Sequence, residues 1–394
     1  MDAGVYPQDS VREATRDFVC IRVEHDRNPD LVRRYQVQAL PDLRLIDAGG
    51  HEVTRLLGFT SAPRLAAQCK ALLDRTAGDG RATSSPTPAS PVAVGPASKE
   101  TIDRAVDRGI GFLRKNWRNS TPSAPGFGAE ELELFALATS GLDPGDEDVA
   151  GLAKLALERP LSGTYQAAFR ALAIARLDSR HLEEPLRACA RFLLESQLPN
   201  GQWTYRPDPS LPPDALGDNS NTAYGLLGLA ACRHAGIEVG LEAVRRTEAW
   251  WRRCQNRDGG WGYRMDRETA SYASMTESGV GSLLLCARLL ARDGTLDPDV
   301  DRALSWLGAH FSVSENRESV YQEGRLLYHL FALERVGTLG GERDVAGRDW
   351  FGEGARFLVA SQRADGSWDD GAGMPLVNTS FALLFLRRAT EVVR

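Results

Sequence analysis

No stretch of this 394-residue chain comes near the roughly 20 consecutive apolar residues that a membrane-spanning helix needs, so no membrane span is expected. The first twenty residues, MDAGVYPQDSVREATRDFVC, lack a basic start followed by an apolar run, which excludes the pattern of a secretory leader and points to a cytoplasmic location. No cysteine stands at CxxC spacing. Cys20, Cys69, Cys189, Cys232, Cys254 and Cys286 lie far apart, mostly on apolar faces, so buried thiols in a reducing compartment are expected. A concentrated basic face is also missing. The net charge is −6 and acids are interspersed among the arginines, which argues against a nucleic-acid partner. What is present is the profile of a globular protein, with 42% hydrophobic and 25% charged residues, in a chain too long for one ordinary core.

Residues 78–99, GDGRATSSPTPASPVAVGPASK, carry no apolar period. Such a stretch buries too little surface to offset its ordering entropy and reads as a flexible linker between a domain at 1–77 and a larger one at 100–394. The first domain reads strand, helix, strand, strand, helix. Residues 18–23 are a β-branched run, and 28–35 a helix opening with Asn28 and Pro29 at the N-cap and N1 places. Residues 43–46 and 53–57 are strands joined through Asp47-Ala48-Gly49-Gly50, and Ser61 caps a last helix to residue 73. With Val37-Gln38-Ala39-Leu40-Pro41 leading into a strand, this order resembles the second half of a thioredoxin fold over residues 5–75. The resemblance implies a cis peptide at Pro41. It also implies that the family's redox CxxC would lie upstream of Met1, and Cys20, placed in a strand, does not replace it. The expectation is a truncated, redox-inactive thioredoxin-like module that docks a protein partner.

The second domain repeats. Gln-x3-Gly-x-Trp occurs as Gln197…Gly201…Trp203, Gln255…Gly259…Trp261 and Gln362…Gly366…Trp368, at intervals of 58 and 107 residues. The second interval is about two repeats of ~50 residues. Each copy follows an amphipathic helix (186–196, 243–254, 354–361) and precedes a more apolar one (222–235, 276–290, 379–390). A helix apolar around most of its circumference is buried on both sides, so outer and inner helices alternate. Degenerate copies fill the gaps: 102–115 with 130–140, 149–158 with 165–177, and 300–310 with 319–336. Six hairpins predict a mainly α fold, an α6/α6 toroid, closed so that no end repeat is exposed.

These turns resemble the QW repeats of squalene and hopene cyclases and their prenyltransferase relatives, over residues 100–394. Gly217-Asp218-Asn219-Ser220-Asn221-Thr222, Ser274-Met275-Thr276, 332–337 and 378–384 are similar to a group of uncharacterised bacterial squalene-cyclase-like proteins. The resemblance implies that function resides in a central cavity where the inner helices begin. Converging helix N-termini favour an anion there, and a diphosphate is one candidate. The residues gathered at those starts are Tyr165, Asp218, Asn219, Asn221, Thr276, Glu277 and Asn378. Aromatics follow the turns: Trp203 with Tyr205, Trp261 with Tyr263, and Trp368. These are the expected ligand contacts. Two further readings stand beside that one: the polar residues are helix caps, and the tryptophans are turn closures.

The catalytic sets of the resembling families are missing. The cyclases' D-x-D-D-T acid is matched only by Asp218-Asn219-Ser220-Asn221-Thr222, and the last repeat opens Pro375-Leu376-Val377-Asn378-Thr379 without an acid. The prenyltransferases' zinc set is also missing: that last inner helix has neither Cys nor His, and His310 and His329 have no Cys or second His at ligand spacing, so no metal and no cofactor are expected. Candidate catalytic carboxylates are Asp218, Glu277, Asp369 and Asp370, with Glu323 nearby; Asp369-Asp370 reads equally as a solvated loop. Glu334-Arg335 reads as a buried ion pair between helices. Three functions remain open. One is a cavity enzyme for an apolar or isoprenoid-type molecule, another a non-catalytic toroid binding a ligand or protein. The third is a carboxylate-based enzyme acting on polysaccharide.

Overall fold

The computed structural model divides into two compact units, Met1–Val94 and Gly95–Arg394. It describes residues 9–16, 18, 42–46, 52–57, 65 and 69–70 of the first. In the second it describes 97–393 except 120–122, 124–125, 178–181, 267–268, 293–296, 320–324, 342–343 and 372.

In the first unit, α1 spans Asp9–Ala14, and β1 (Asp42–Ile46) pairs antiparallel with β2 (Glu52–Leu57). The register shifts between Leu45 and Ile46. Val11, Leu45, Leu65 and Cys69 form a small core. The two strands stand where alternation predicts them. The expected strand at 18–23, apart from Phe18, lies outside the described residues, as do the helix at 28–35, Pro41 and the linker up to residue 96.

The second unit is a ring. Its outer helices are α2 (Lys99–Asn116), α4 (Glu147–Glu158), α6 (Glu183–Glu195), α8 (Leu241–Arg253), α10 (Pro298–Ala309) and α12 (Trp350–Ser361). Each buries one stripe: in α2 it is Ala105, Val106, Gly109 and Leu113, the spacing of one helix face. Caps fix their starts, with Ser98, Asp146, Asp297 and Asp349 each accepting a backbone N–H of the first turn. Pro298 occupies the first turn of α10, where its missing N–H costs nothing.

The inner helices are α3 (Ala129–Thr139), α5 (Thr164–Leu177), α7 (Asn219–His234), α9 (Ala273–Leu289), α11 (Leu326–Gly340) and α13 (Pro375–Leu386). In α7 every residue from Asn219 to Cys232 is buried. Each inner helix packs on the next, and α13 packs back on α3, which closes the ring; outside it α12 meets α2. All six predicted hairpins are present. The fifth inner helix begins at Leu326 rather than 319, and α13 ends at Leu386, followed by a separate 3-10 turn, Ala389–Val393. That turn lies against α5, α7, α11 and α13, at the end where the inner helices finish.

The repeat turns explain why the wall holds its shape. Gln197 Nε2 donates to the Gly201 and Ala243 carbonyls and to Thr247 Oγ1. Gln255 Nε2 reaches the Gly259 and Asp299 carbonyls, and Gln362 Nε2 those of Gly366 and Ala105. Each glutamine thus ties the end of one outer helix to the start of the next, and Gln362 ties the last to the first. Gly201 has φ 91°, and a Cβ there would lie 2.3 Å from the Arg246 carbonyl oxygen, so only glycine fits.

Candidate functional site

Backbone hydrogen bonds bring the starts of the inner helices to one rim. Thr164 N–H donates to the Tyr205 carbonyl (3.2 Å), Asn219 N–H to that of Tyr263 (3.0 Å), and Ala273 N–H to that of Arg317 (2.9 Å). Leu326 N–H donates to Asp370 Oδ2 (3.1 Å). Four of the six inner helices, α5, α7, α9 and α11, are thus laced to the loop that precedes their neighbour.

The tryptophans and Thr276 are corrections to the expected ligand contacts, because they lie inside the wall. Trp203, Trp261 and Trp368 are buried to 1% exposure or less. Their indole N–H groups donate to the carbonyls of Leu193, Trp251 and Leu358 in the outer helices. Their backbone N–H groups reach the hydroxyls of Thr222, Thr276 and Thr379, so Thr276 is consumed by the same arrangement. A buried donor needs a partner, and these have theirs within the repeat.

Most of the rim's polar residues are also engaged. Asp218 is the N-cap of α7, accepting from the Asn221 backbone N–H (2.8 Å) and side-chain amide (2.9 Å). Burial pushes its carboxyl up, while the bonds from Asn221 and from the Tyr263 hydroxyl pull the other way. Asn219 donates to the Gly262 carbonyl and accepts from the Trp250 indole. Asp369 pairs with Arg363 (2.9 Å), and Asp370 accepts from Asn378 (2.8 Å) while capping α11. These carboxylates hold the rim together rather than standing open. Glu323 lies outside the described residues.

Glu277, on α9, meets His329, on α11: Nδ1 and Oε2 are 2.8 Å apart, and both side chains are buried. His329 Nε2 lies 2.9 Å from the Ser312 carbonyl, which can only accept, so that nitrogen carries a hydrogen. The bond to Glu277 then holds one proton between the two groups. Burial raises the Glu277 carboxyl; it pulls His329 down, but the adjacent carboxylate more than offsets this. The sequence showed both residues but not their meeting.

Inside the rim, aromatic rings from four inner helices fill the ring's middle. Tyr165 and Tyr224 have centroids 4.6 Å apart, Phe169 and Tyr224 5.1 Å, and Phe331 and Phe381 5.7 Å; Tyr328 lies 6.0 Å from Phe381. Ser220 Oγ bridges the Tyr165 and Tyr328 hydroxyls across the ring at 2.5 and 2.6 Å. Tyr205 stands over Tyr165 and is 40% exposed.

The expected Glu334–Arg335 ion pair does not form, because consecutive helix residues face different directions. Glu334 instead bonds both the hydroxyl and the backbone N–H of Thr390 in the terminal 3-10 turn, and Thr338. Burial holds its carboxyl at about 7.

A pocket of about 410 Å³ opens where α13 meets α3. It is lined by Phe127, Ala129, Met374, Pro375, Leu376 and Val377, with Ser123, Glu130 and Glu133 as its polar groups. Its size falls in the range of small-molecule sites. The two glutamates differ sharply. Glu130 accepts from the Ser123 backbone N–H (2.8 Å), from its hydroxyl, and from Arg159 (2.7 Å). Burial raises the Glu130 carboxyl, but those donors outweigh it and hold it below the usual range. Glu133 is 2% exposed, and its Oε2 has no hydrogen-bond partner. Burial, reinforced by the charges of Glu130 and Glu131, pushes its carboxyl up to about 8. One acid is kept ionised and its neighbour kept neutral.

Among the described residues no group of three His, Cys, Asp or Glu side chains is placed to hold a metal, and no helix is long and apolar enough to cross a membrane. No known family model and no curated protein matches the sequence. Solved structures similar to the chain include the type II terpene cyclase MstE from Scytonema, without ligand (14% identity, 74% of this chain and 99% of that one, TM-score 0.47). A variant of MstE in complex with its product, merosterolic acid A, is similar at 13% identity over 74% and 98% of the two chains, TM-score 0.48. The GH76 alpha-mannanase from Bacteroides thetaiotaomicron is similar at 10% identity over 74% and 96%, TM-score 0.48.

Proposed function

We propose that the toroid binds an apolar, isoprenoid-type molecule in the pocket between α3 and α13 and acts on it by acid catalysis through Glu133. The observation that carries this reading is a buried carboxyl group with one oxygen lacking a hydrogen-bond partner, on a residue lining an apolar cavity beside a second carboxylate held by Ser123 and Arg159. Two titratable groups pushed apart by their surroundings are the mark of an acid and its partner. Glu133 donates its proton to the substrate, and loss of a proton from the product side restores it, so no net change of charge is required. Glu130 disfavours a lasting second anion beside it, which makes Glu133 the stronger proton recipient when the cycle closes.

The central aromatic cluster is less suited to that chemistry. The Arg335 guanidinium lies 5.1 Å over the Tyr224 ring and 5.0 Å over that of Phe331. A fixed positive charge on those faces opposes a carbocation among them.

The test is to incubate the protein with geranylgeraniol or squalene in deuterated buffer and analyse bound and released material by mass spectrometry. Wild-type protein is expected to retain one of these probes and to release a product carrying solvent deuterium. Glu133→Gln is expected to retain the same probe and lose at least ~10²-fold in turnover. Turnover by the variant at the wild-type rate would remove Glu133 from the mechanism, and failure of both probes to bind would remove the pocket. A second reading, a non-catalytic binding toroid, is favoured by the capping engagement of Asp218, Asp369 and Asp370. Binding without turnover by the wild-type protein would support it.

A further inference from the structure

A second cavity, of about 540 Å³, lies where the repeat turn after α8 meets the end of α10 and the approach to α9. Like the first, it has the size of a small-molecule site. Part of its lining is a stack: the His310 imidazole lies on the Trp306 indole, with centroids 4.0 Å apart and planes 14° from parallel. His310 Nδ1 is 2.8 Å from the Trp306 carbonyl, which can only accept, so that nitrogen carries a hydrogen. Nε2 of the neutral ring is then an acceptor, and it has no partner among the described residues. The repeat itself does not ask for a histidine there. Gly201, Gly259 and Gly366 sit against the carbonyls of Arg246, Arg302 and Arg108, which puts the three following outer helices in register. Eight residues beyond those arginines stand Cys254, His310 and Asn116, so the wall closes equally well with a thiol or an amide.

The other polar groups of the lining are partly spent on the turn and partly open. Asn256 Nδ2 donates to the Thr269 carbonyl (2.7 Å) and to the Ser271 hydroxyl (3.0 Å), while its Oδ1 has no partner among the described residues. Asp258 Oδ1 accepts from the Gly260 N–H (3.0 Å) and the Ser271 hydroxyl (2.7 Å), and Oδ2 is left over in the same way. Glu318, exposed on the same cavity, has neither a hydrogen bond nor an ion pair among the described residues. Acceptors therefore outnumber donors around this space. No three of the acids and histidines converge on a point that would hold a metal. Two carboxylates against the single guanidinium of Arg257 oppose an anion. An occupant that fits must be a body carrying several donors spread over its surface.

We infer that this cavity binds a neutral saccharide, with its hydroxyls donated to His310 Nε2, Asp258 Oδ2 and Glu318 and the C–H face of one sugar ring against the His310–Trp306 stack. Hydroxyl groups are the donors that suit carboxylate and imidazole acceptors without bringing a charge. The electron-rich face of an aromatic ring receives the C–H edges that a sugar presents between its hydroxyls. This site shares no residue with the Glu133 pocket and is tested without it.

The experiment is calorimetric titration of the full chain with maltotriose, cellotriose and mannotriose, and with trilysine as the cationic rival. At least one of the three sugars is expected to bind with a Kd of ~1 mM or tighter, and trilysine more weakly than that sugar. Glu318→Gln removes one charged acceptor, and His310→Phe keeps a ring on Trp306 while removing Nε2. Each is expected to weaken binding of that sugar roughly three- to tenfold with the thermal unfolding transition unchanged. Glu318 is exposed, so its variant decides the matter should His310→Phe fail to fold. Binding of none of the three sugars, or unchanged sugar binding by both variants, overturns the site. Trilysine binding tenfold more tightly than every sugar overturns the assignment to a saccharide.

Discussion

Glu133→Gln is expected to flatten the loss of stability that the wild-type protein shows as pH rises from about 5 to about 9. An unfolded glutamate titrates near 4.5, and Glu133 in the fold at about 8. Between those values the folded state holds a proton that the unfolded state has released, so stability falls as pH rises through the window. The contribution is fully present below about 4.5 and gone above about 8. At 1.36 kcal/mol per pH unit, the span corresponds to roughly 5 kcal/mol. Glu334, raised to about 7 by burial, adds a slope of the same sign that ends earlier. Glutamine keeps the side chain's shape without its proton, so any cost of burying the amide is independent of pH. Urea unfolding at several pH values measures the difference. Parallel curves for the two proteins would mean that Glu133 is not held neutral.

Trp261→Ala is expected to cost about 3–5 kcal/mol, the range for removing a fully buried aromatic. The ring is 0% exposed, stands edge-on to Trp251 at 5.9 Å, and lies so close to Gly279 that a Cβ there would sit 2.4 Å from it. Its removal also leaves the Trp251 carbonyl, inside the wall, with only the weak Cys254 thiol as donor, for up to roughly another 1 kcal/mol. In a domain of this size that amounts to a fall in Tm of roughly 10 °C, read by calorimetry. Gly279→Ala should destabilise by the reverse route, by forcing the ring out of place. A Trp261→Ala protein melting within a degree or two of wild type would contradict the wall role and return the ring to the cavity.

These two residues also mark what the sequence discloses. The Gln-x3-Gly-x-Trp turns are legible because their chemistry is local: glutamine, glycine and tryptophan lie within seven residues and always meet the same backbone groups. Alternation of striped and wholly apolar helices likewise comes from each helix's own residues, so the closed ring is readable before any coordinates. Glu133 is not. In Ala129-Glu130-Glu131-Leu132-Glu133, the acids read as a favourable first turn, and the apolar face that neutralises Glu133 arrives from residues 374–377, at the far end of the chain. Three glutamates opening an otherwise apolar helix were the available signal. Glu277 and His329 show the same limit, being 52 positions apart with no spacing rule to join them. Glu334-Arg335 was misread because neighbours in sequence are not neighbours on a helix.

The most direct test is a difference infrared titration of the carboxyl carbonyl stretch, wild type minus Glu133→Gln, in which every other acid cancels. A protonated-carboxyl signal that persists through neutrality and disappears near pH 8 is the predicted result. A signal already lost near 4.5, the value of an ordinary glutamate, would show Glu133 ionised at neutral pH and leave the pocket without its acid.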